Sequence, residues 1–333
     1  MSQADICIIG AGIAALSAAR VLREAGHSVV LLEKSRGLGG RAATRRIDGI
    51  PVDHGAQFFT ARSEEFRAQT TRWITDGVCF EWCRGFHQWK DGILHPPNPA
   101  ESNPRYACRE GMTALSKHLS EGLNVQRESK VSEVARDGTG FTVTCEDGTS
   151  FQVGAVLSSA PVPQTLTICA NLFPEGSKAT LADTSVVPCL SVVAETPSGA
   201  PEWSGIQSQE GSLSWLGADS SKRQNPSHQF IVLHASTDFS VRHLESDLNA
   251  AAGILLRDAA SVDPETLSTL TPRHVHRWRY ARAENPFSSQ AFLRPQADRN
   301  FYIIGDAFLT GKIESAWLSG RAAAQDLLSH PTP

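Results

Sequence analysis

Residues 5–35, DICIIGAGIAALSAARVLREAGHSVVLLEKS, read as an apolar strand, a glycine turn, a helix and a second strand ending in an acid. The turn has the order G-x-G-x-x-A at Gly10, Gly12 and Ala15. Gly10 permits the tight turn, Gly12 lets the backbone approach a pyrophosphate, and Ala15 is small enough for close helix–strand packing. A helix predicted from about Ile13 to Ala25 aims its positive end at those phosphates. Glu33, at the end of the second strand, is placed to accept hydrogen bonds from the ribose hydroxyls, and a 2′-phosphate would meet like charge there. The unit holds the adenosine end of a dinucleotide without saying which dinucleotide.

Two further stretches favour FAD over NAD. KSRGLGGRAATRR (34–46) follows Glu33 directly. Lys34 opens it, Gly39 and Gly40 allow a second close backbone approach, and Arg41 offers a cation to the pyrophosphate. A plain NAD domain does not need this glycine doublet. The second stretch is RNFYIIGDAFLTGKIESAWLSGRAAAQDLL (299–328). Its FYII is a buried strand, Gly305 makes the turn, and Asp306 stands where a carboxylate reaches the ribityl hydroxyls. The helix after it, with Ile313, Ala316, Trp317 and Gly320 on one side, points its N-terminus at the flavin pyrimidine. FAD bound without a covalent link is the expected cofactor, since the last cysteine, Cys189, excludes attachment through a C-terminal cysteine.

The chain of 333 residues is long for one compact domain, so two are expected. A net charge of −4 argues against nucleic acid as a partner. No stretch approaches the roughly 20 apolar residues that span a bilayer, and the opening apolar run reads as a strand rather than a signal peptide. The seven cysteines are scattered without a C-x-x-C pair. Reduced thiols in a cytoplasmic protein are expected, and no metal.

The fingerprint turn, the glycine doublet with Arg41 and the Gly305-Asp306 segment resemble the flavin amine oxidase superfamily. DHGAQFFTAR (53–62), LHAS (233–236), HRWRYAR (276–282) and GKIESAWLSG (311–320) resemble, more closely, the bacterial renalase-like proteins. The resemblance runs nearly end to end and is strongest in the first 62 residues and the last 60. It implies an α/β fold with a Rossmann-like FAD domain of the p-hydroxybenzoate-hydroxylase type. That domain would comprise residues 1–62, 105–161 and 286–333, and a substrate domain of antiparallel sheet plus helices residues 63–104 and 162–285. It implies cofactor contacts at Ala14, Arg41 and Val131, and at Gln57 and Phe58 beside the flavin; Lys34 and Ile313 are further candidates for cofactor contact. Renalases resemble oxidases of misreduced dihydronicotinamides, which pass a hydride to the flavin and, through O2, yield hydrogen peroxide and NAD(P)+.

Between the nucleotide segments, residues 63–77 carry a helical period and 95–104 form a Pro- and Asn-rich connector. A helix is expected over 111–123 and a hairpin through Asp147-Gly148. Beyond Val162 the strands CLSVVAET and QFIVLHAS suggest an antiparallel sheet, with a helix over 246–260 packed across it.

A dihydropyridine donor needs no acid–base group, because its ring nitrogen drives hydride loss. An amine oxidase needs a neutral amine, a cage of aromatics and often a lysine-held water. Lys312 stands where monoamine oxidases place a cage aromatic, and a cation there repels a protonated amine. Lys178 and Lys222, the only lysines between residues 150 and 300, both lie in polar, loop-like sequence, so the usual lysine is expected to be absent. Candidates for the substrate face are Trp215, His234, Trp278, Tyr280, Trp317 and Lys312, with core packing as the alternative for each aromatic. Tyr280 shares the Trp278 face of its strand, and His234 reads more readily as an interior histidine than as a proton carrier. Glu314 either touches the ribityl chain or caps its helix. A small-molecule oxidase of dihydronicotinamides leads. Behind it stand an amine or amino-acid oxidase, a desaturase-like flavoenzyme and a redox-silent FAD-binding protein.

Overall fold

The computed structural model describes residues 2–98, 100, 103–173, 186–284, 286, 289–295 and 300–330. These residues divide into two compact units, one drawn from Met1–Gly40, Leu115–Val186 and Arg282–Pro333, the other from Arg41–Ala114 and Val187–Ala281.

The first unit is built on a five-stranded parallel sheet, ordered Asn124–Arg127, Val29–Glu33, Ile6–Ile9, Ala155–Ser158, Phe301–Ile303. Ile6–Ile9 and Ala155–Ser158 are buried along their whole length, the pattern of strands covered on both faces. The opening helix, Ile13–Glu24, packs on the last helix, Ile313–Ser329. Small residues make that approach possible: a Cβ on Gly320 would lie 2.0 Å from the Ala14 carbonyl oxygen. The Ser17 hydroxyl donates to the Trp317 carbonyl at 3.0 Å across the same contact. Val131–Asp137, Gly140–Cys145 and Ser150–Val153 form the antiparallel part of a second sheet, and Gly148 takes φ +86° in the hairpin turn. Phe141, Val143 and Phe151 from that sheet join Val156 and Phe301 in one core.

The second unit carries a seven-stranded sheet ordered 271–283, 186–196, 229–235, 213–218, 205–208, 87–90, 93–95. Its central pairings are antiparallel, and 87–90 runs parallel to 205–208. The helix Leu248–Val262 buries Ala251, Ala252, Leu255 and Ala259 against Leu190, Val192, Ile206 and Leu233 of the sheet. Helices also form at Glu64–Thr75 and Thr113–Ser120, inside the spans where the periodicity predicts them.

The contacts divide the chain at other residues than the sequence reading. Residues 41–62 and 105–114 fall in the second unit, because Ile47 and Val52 pack with Val193, Phe230 and Val232. Of residues 162–186, the described ones fall in the first, because Val162, Leu172 and Phe173 close the core around Val156 and Phe301. Arg41, Gln57 and Phe58 are therefore carried by the second unit. Among the described residues, no helix is long and apolar enough to cross a membrane.

Candidate functional site

In the first unit the groups expected at the nucleotide are placed by the backbone. Gly10 turns the chain after the first strand with φ +97°, and its N–H donates to the Leu32 carbonyl at 2.8 Å. Gly12 is the N-cap of the opening helix and supplies no capping side chain, which leaves the first-turn amides for an anion. Ala14 and Ala15 follow it, both buried. A Cβ built on Gly12 would meet nothing within 4 Å, so the space beside this turn is open. The glycine doublet folds back to it: Gly39 donates to the Ala11 carbonyl at 3.0 Å, and a Cβ on Gly40 would come 3.9 Å from Gly12 Cα. Glu33 is buried, with one oxygen accepting from the Ala11 N–H at 2.9 Å and the other from the Ser35 N–H at 2.8 Å. Each oxygen keeps a lone pair for a ribose hydroxyl. This open cradle, rimmed by amides and closed by a fixed carboxylate, fits the adenosine diphosphate half of FAD.

The other expected positions in this unit take clear places. Lys34 is exposed and donates to Gln164 at 3.3 Å. Val131 begins its strand, and Ser129 just before it donates to the Glu33 carbonyl at 2.9 Å. Gly305 has φ +143° with open space at its α-carbon, and its N–H donates to Ser319 of the last helix at 2.9 Å. Asp306 follows, half-buried. Exposed Lys312 is the N-cap of the last helix without a side-chain cap bond, and Ile313 is its first residue. Glu314 and Trp317 are buried, and Arg321 lies over the Trp317 ring at 4.7 Å.

In the second unit the structure overturns one expectation. Lys222 is not a solvated loop lysine. It lies in a short 3-10 turn, Asp219–Lys222, and is 0% exposed. Its Nζ donates to Asp219 at 2.9 Å, Asp53 at 3.1 Å and the Gln57 amide oxygen at 3.2 Å. Arg223 bridges the same two carboxylates at 3.1 and 2.8 Å. Burial alone would raise the Asp53 pKa. Lys222, Arg223 and hydrogen bonds from Thr44 and Met112 overcome that and hold it below the usual carboxylate range. Lys178 lies outside the described residues.

That network fixes the DHGAQFF segment. The Gln57 side chain donates to the Asp53 and Gly55 carbonyls and accepts from Lys222, so its amide has one orientation. Phe58 projects into a cluster with Phe86 (4.7 Å between centroids), Trp215 (5.5 Å) and Trp82 (6.5 Å). Trp215 is buried against Gly205 and Gly217, where a Cβ would come within 2.3 and 2.7 Å of its ring atoms. Two cations already face this cluster: Arg105 over Phe58 and Phe86, and Lys222 over Trp82 at 5.1 Å.

His234 pairs with Trp215 across neighbouring strands. Burial and the Lys222 charge pull its pKa down to about 4, so the ring is neutral and weakly basic. On the strand Thr271–Ala283, alternation places His274, His276, Trp278 and Tyr280 on one face. Trp278 stacks on His54 at 5.3 Å and donates to the His54 carbonyl at 3.0 Å. Sequence reasoning missed Asp53, His54, Asp219, Arg223, His274 and His276 as partners. The signals available were the DHGAQFF stretch, which holds Asp53 and His54, and the period-2 alternation of HVHRWRY, which holds His274 and His276.

The family model for NAD(P)-binding Rossmann-like domains matches residues 8–70, and that for flavin containing amine oxidoreductases matches residues 83–328. The chain is 36% identical over 94 residues to putrescine oxidase of Kocuria rosea, covering 28% of this chain and 19% of that protein. It is 44% identical over 59 residues to carotenoid 3,4-desaturase of Haloarcula japonica, covering 18% and 12%. Both matches, like that to the first curated relative at 15%, span less than a fifth of the relative's length. A solved putrescine oxidase variant superimposes with a TM-score of 0.74 at 16% identity, covering 99% of each chain.

Proposed function

From the premise that the chain belongs to the flavin-containing amine oxidoreductase family, and is thus an FAD-dependent oxidoreductase, we propose that it is an oxidase of the renalase type. Its substrates would be isomeric dihydronicotinamides, the 1,2- and 1,6-dihydro forms of NAD(P), and its products NAD(P)+ and hydrogen peroxide. Bound FAD would supply the two-electron acceptor and pass the electrons to O2.

The observation that carries this reading is Lys222. An ammonium has three N–H donors, and here Asp53, Asp219 and Gln57 take all three. None is left to hold a water. His234, with its pKa near 4, is a poor acceptor for the proton an ammonium substrate must lose. Arg105 and Lys222 already face the rings that a cationic amine would seek. A dihydropyridine asks only for flat surfaces on which to stack, and Trp278 and Tyr280 share a strand face that offers them. In the first unit, Gly305 and Asp306 would hold the ribityl chain of FAD. The seven free cysteines fit a reducing compartment, and the cytoplasm is our placement.

The amine reading has equal support from the comparisons, through the family match and the putrescine oxidases. Anaerobic stopped-flow bleaching of the flavin separates the two. Fast reduction by 1,2- or 1,6-dihydro-NAD, with 1,4-NADH, putrescine and other amines slow, is the expected result. Fast bleaching by an amine alone overturns it.

A further inference from the structure

His54, His274 and His276 come together in the second unit although 220 residues separate the first two in the chain. Each offers a ring nitrogen, and the three nitrogens lie within 4.8 Å of one another. Three points that close share a centre no farther than 4.8/√3, about 2.8 Å, from any of them. An imidazole–metal bond is about 2.0–2.1 Å, so ring movements of well under 1 Å complete the triangle. His54 Nδ1 and His274 Nε2 are both buried without a hydrogen-bond partner. His54 is only 8% exposed, and an orphaned ring nitrogen at that depth is costly unless a ligand meets it.

We propose that these three histidines bind one divalent transition metal of borderline softness, with Zn²⁺ as its representative and water in the fourth position. Three neutral nitrogen donors without carboxylate or thiolate suit Zn²⁺, Co²⁺, Ni²⁺ or Cu²⁺ and not Mg²⁺ or Ca²⁺. The sequence reading expects no metal, because no local spacing announces a site that only the sheet assembles. The metal ties the 53–57 segment to the strand Thr271–Ala283, where Trp278 already stacks on His54. Two charged groups bear on it. Asp53 adjoins His54 but is committed to Lys222 and Arg223. Exposed Arg45 acts on all three rings and opposes a cation.

Co²⁺ titration of the untagged, flavin-loaded protein tests the assignment. The expected result is one equivalent bound, with the intense visible bands of four-coordinate cobalt, bleached by stoichiometric Zn²⁺. His274→Gln and His276→Gln, both half-buried positions, each weaken binding by at least about tenfold with flavin content unchanged. Arg45→Gln tightens it. No cobalt band, or one indifferent to both histidine replacements, overturns the proposal. Should one histidine variant lose its flavin, the other decides, and an unchanged affinity there also overturns the proposal.

Discussion

The first unit presents the groups we propose for the cofactor mostly as backbone: amides at the head of the opening helix, bare glycine surfaces at Gly12 and Gly305, and Glu33 held by two N–H groups. The second unit fixes Gln57 and its neighbours with side-chain charge, through Asp53, Asp219, Lys222 and Arg223. A backbone cradle tolerates change in its surroundings but not at its glycines. An ionic cluster balances two cations against two carboxylates at almost no exposure, so each member depends on the others. The difference predicts where each unit is brittle.

The largest effect falls on the charge balance. Lys222→Met leaves Asp53 and Asp219 facing Arg223 alone, and breaking a buried pair this way costs about 3–5 kcal/mol. Hydrogen exchange should show the loss in peptides of the second unit and leave the parallel sheet of the first protected. Adding Asp219→Asn restores neutrality and should recover part of the loss. Equal loss of protection in both units would break the contrast.

Next comes the helix contact of the first unit. Gly320→Ala drives a Cβ to 2.0 Å from the Ala14 carbonyl, a backbone atom that cannot swing away. Overpacking of this kind costs about 1–3 kcal/mol. The shift passes to the head of the opening helix, so weaker FAD retention should accompany the lower melting temperature.

The contrast also explains what the chain discloses. Gly10, Gly12, Ala15, Glu33 and Gly305 are legible because each answers a local demand of a turn or a strand end. Lys222 is not, since ADSSKRQNP has the composition of a solvated loop and its burial partner Asp53 lies 169 residues away. The boundary near residue 41 is hidden for the same reason: Ile47 and Val52 find their core only on strands around Val193 and Phe230. His54, Gln57 and Phe58 stand in a stretch that resemblance singles out, but the alignment of His274 with His276 and Trp278 is legible only as strand alternation.

Acid separates the units more gently. Asp53 titrates below its usual 3.8 in the fold, so the unfolded chain binds more protons as pH falls. Its stabilisation is complete above the unfolded value and is lost as pH drops through the folded one, at up to about 1.4 kcal/mol per pH unit. Urea midpoints read between pH 6 and pH 3 should therefore fall for the second unit below about pH 4, and Asp53→Asn should flatten that slope.

The smallest effect on stability is the sharpest test of the cradle. Gly12 has φ −80°, a value that any residue adopts, and its missing Cβ faces open space. Gly12→Ala should therefore leave the flavin-free protein within about 0.5 kcal/mol of the parent. The added methyl fills the gap through which a pyrophosphate approaches the helix amides, so bound flavin, read from its visible absorbance after gel filtration, should fall steeply. A glycine kept for folding would show the reverse, a lower melting temperature with FAD retained. Only a glycine kept for a ligand loses the cofactor and spares the fold.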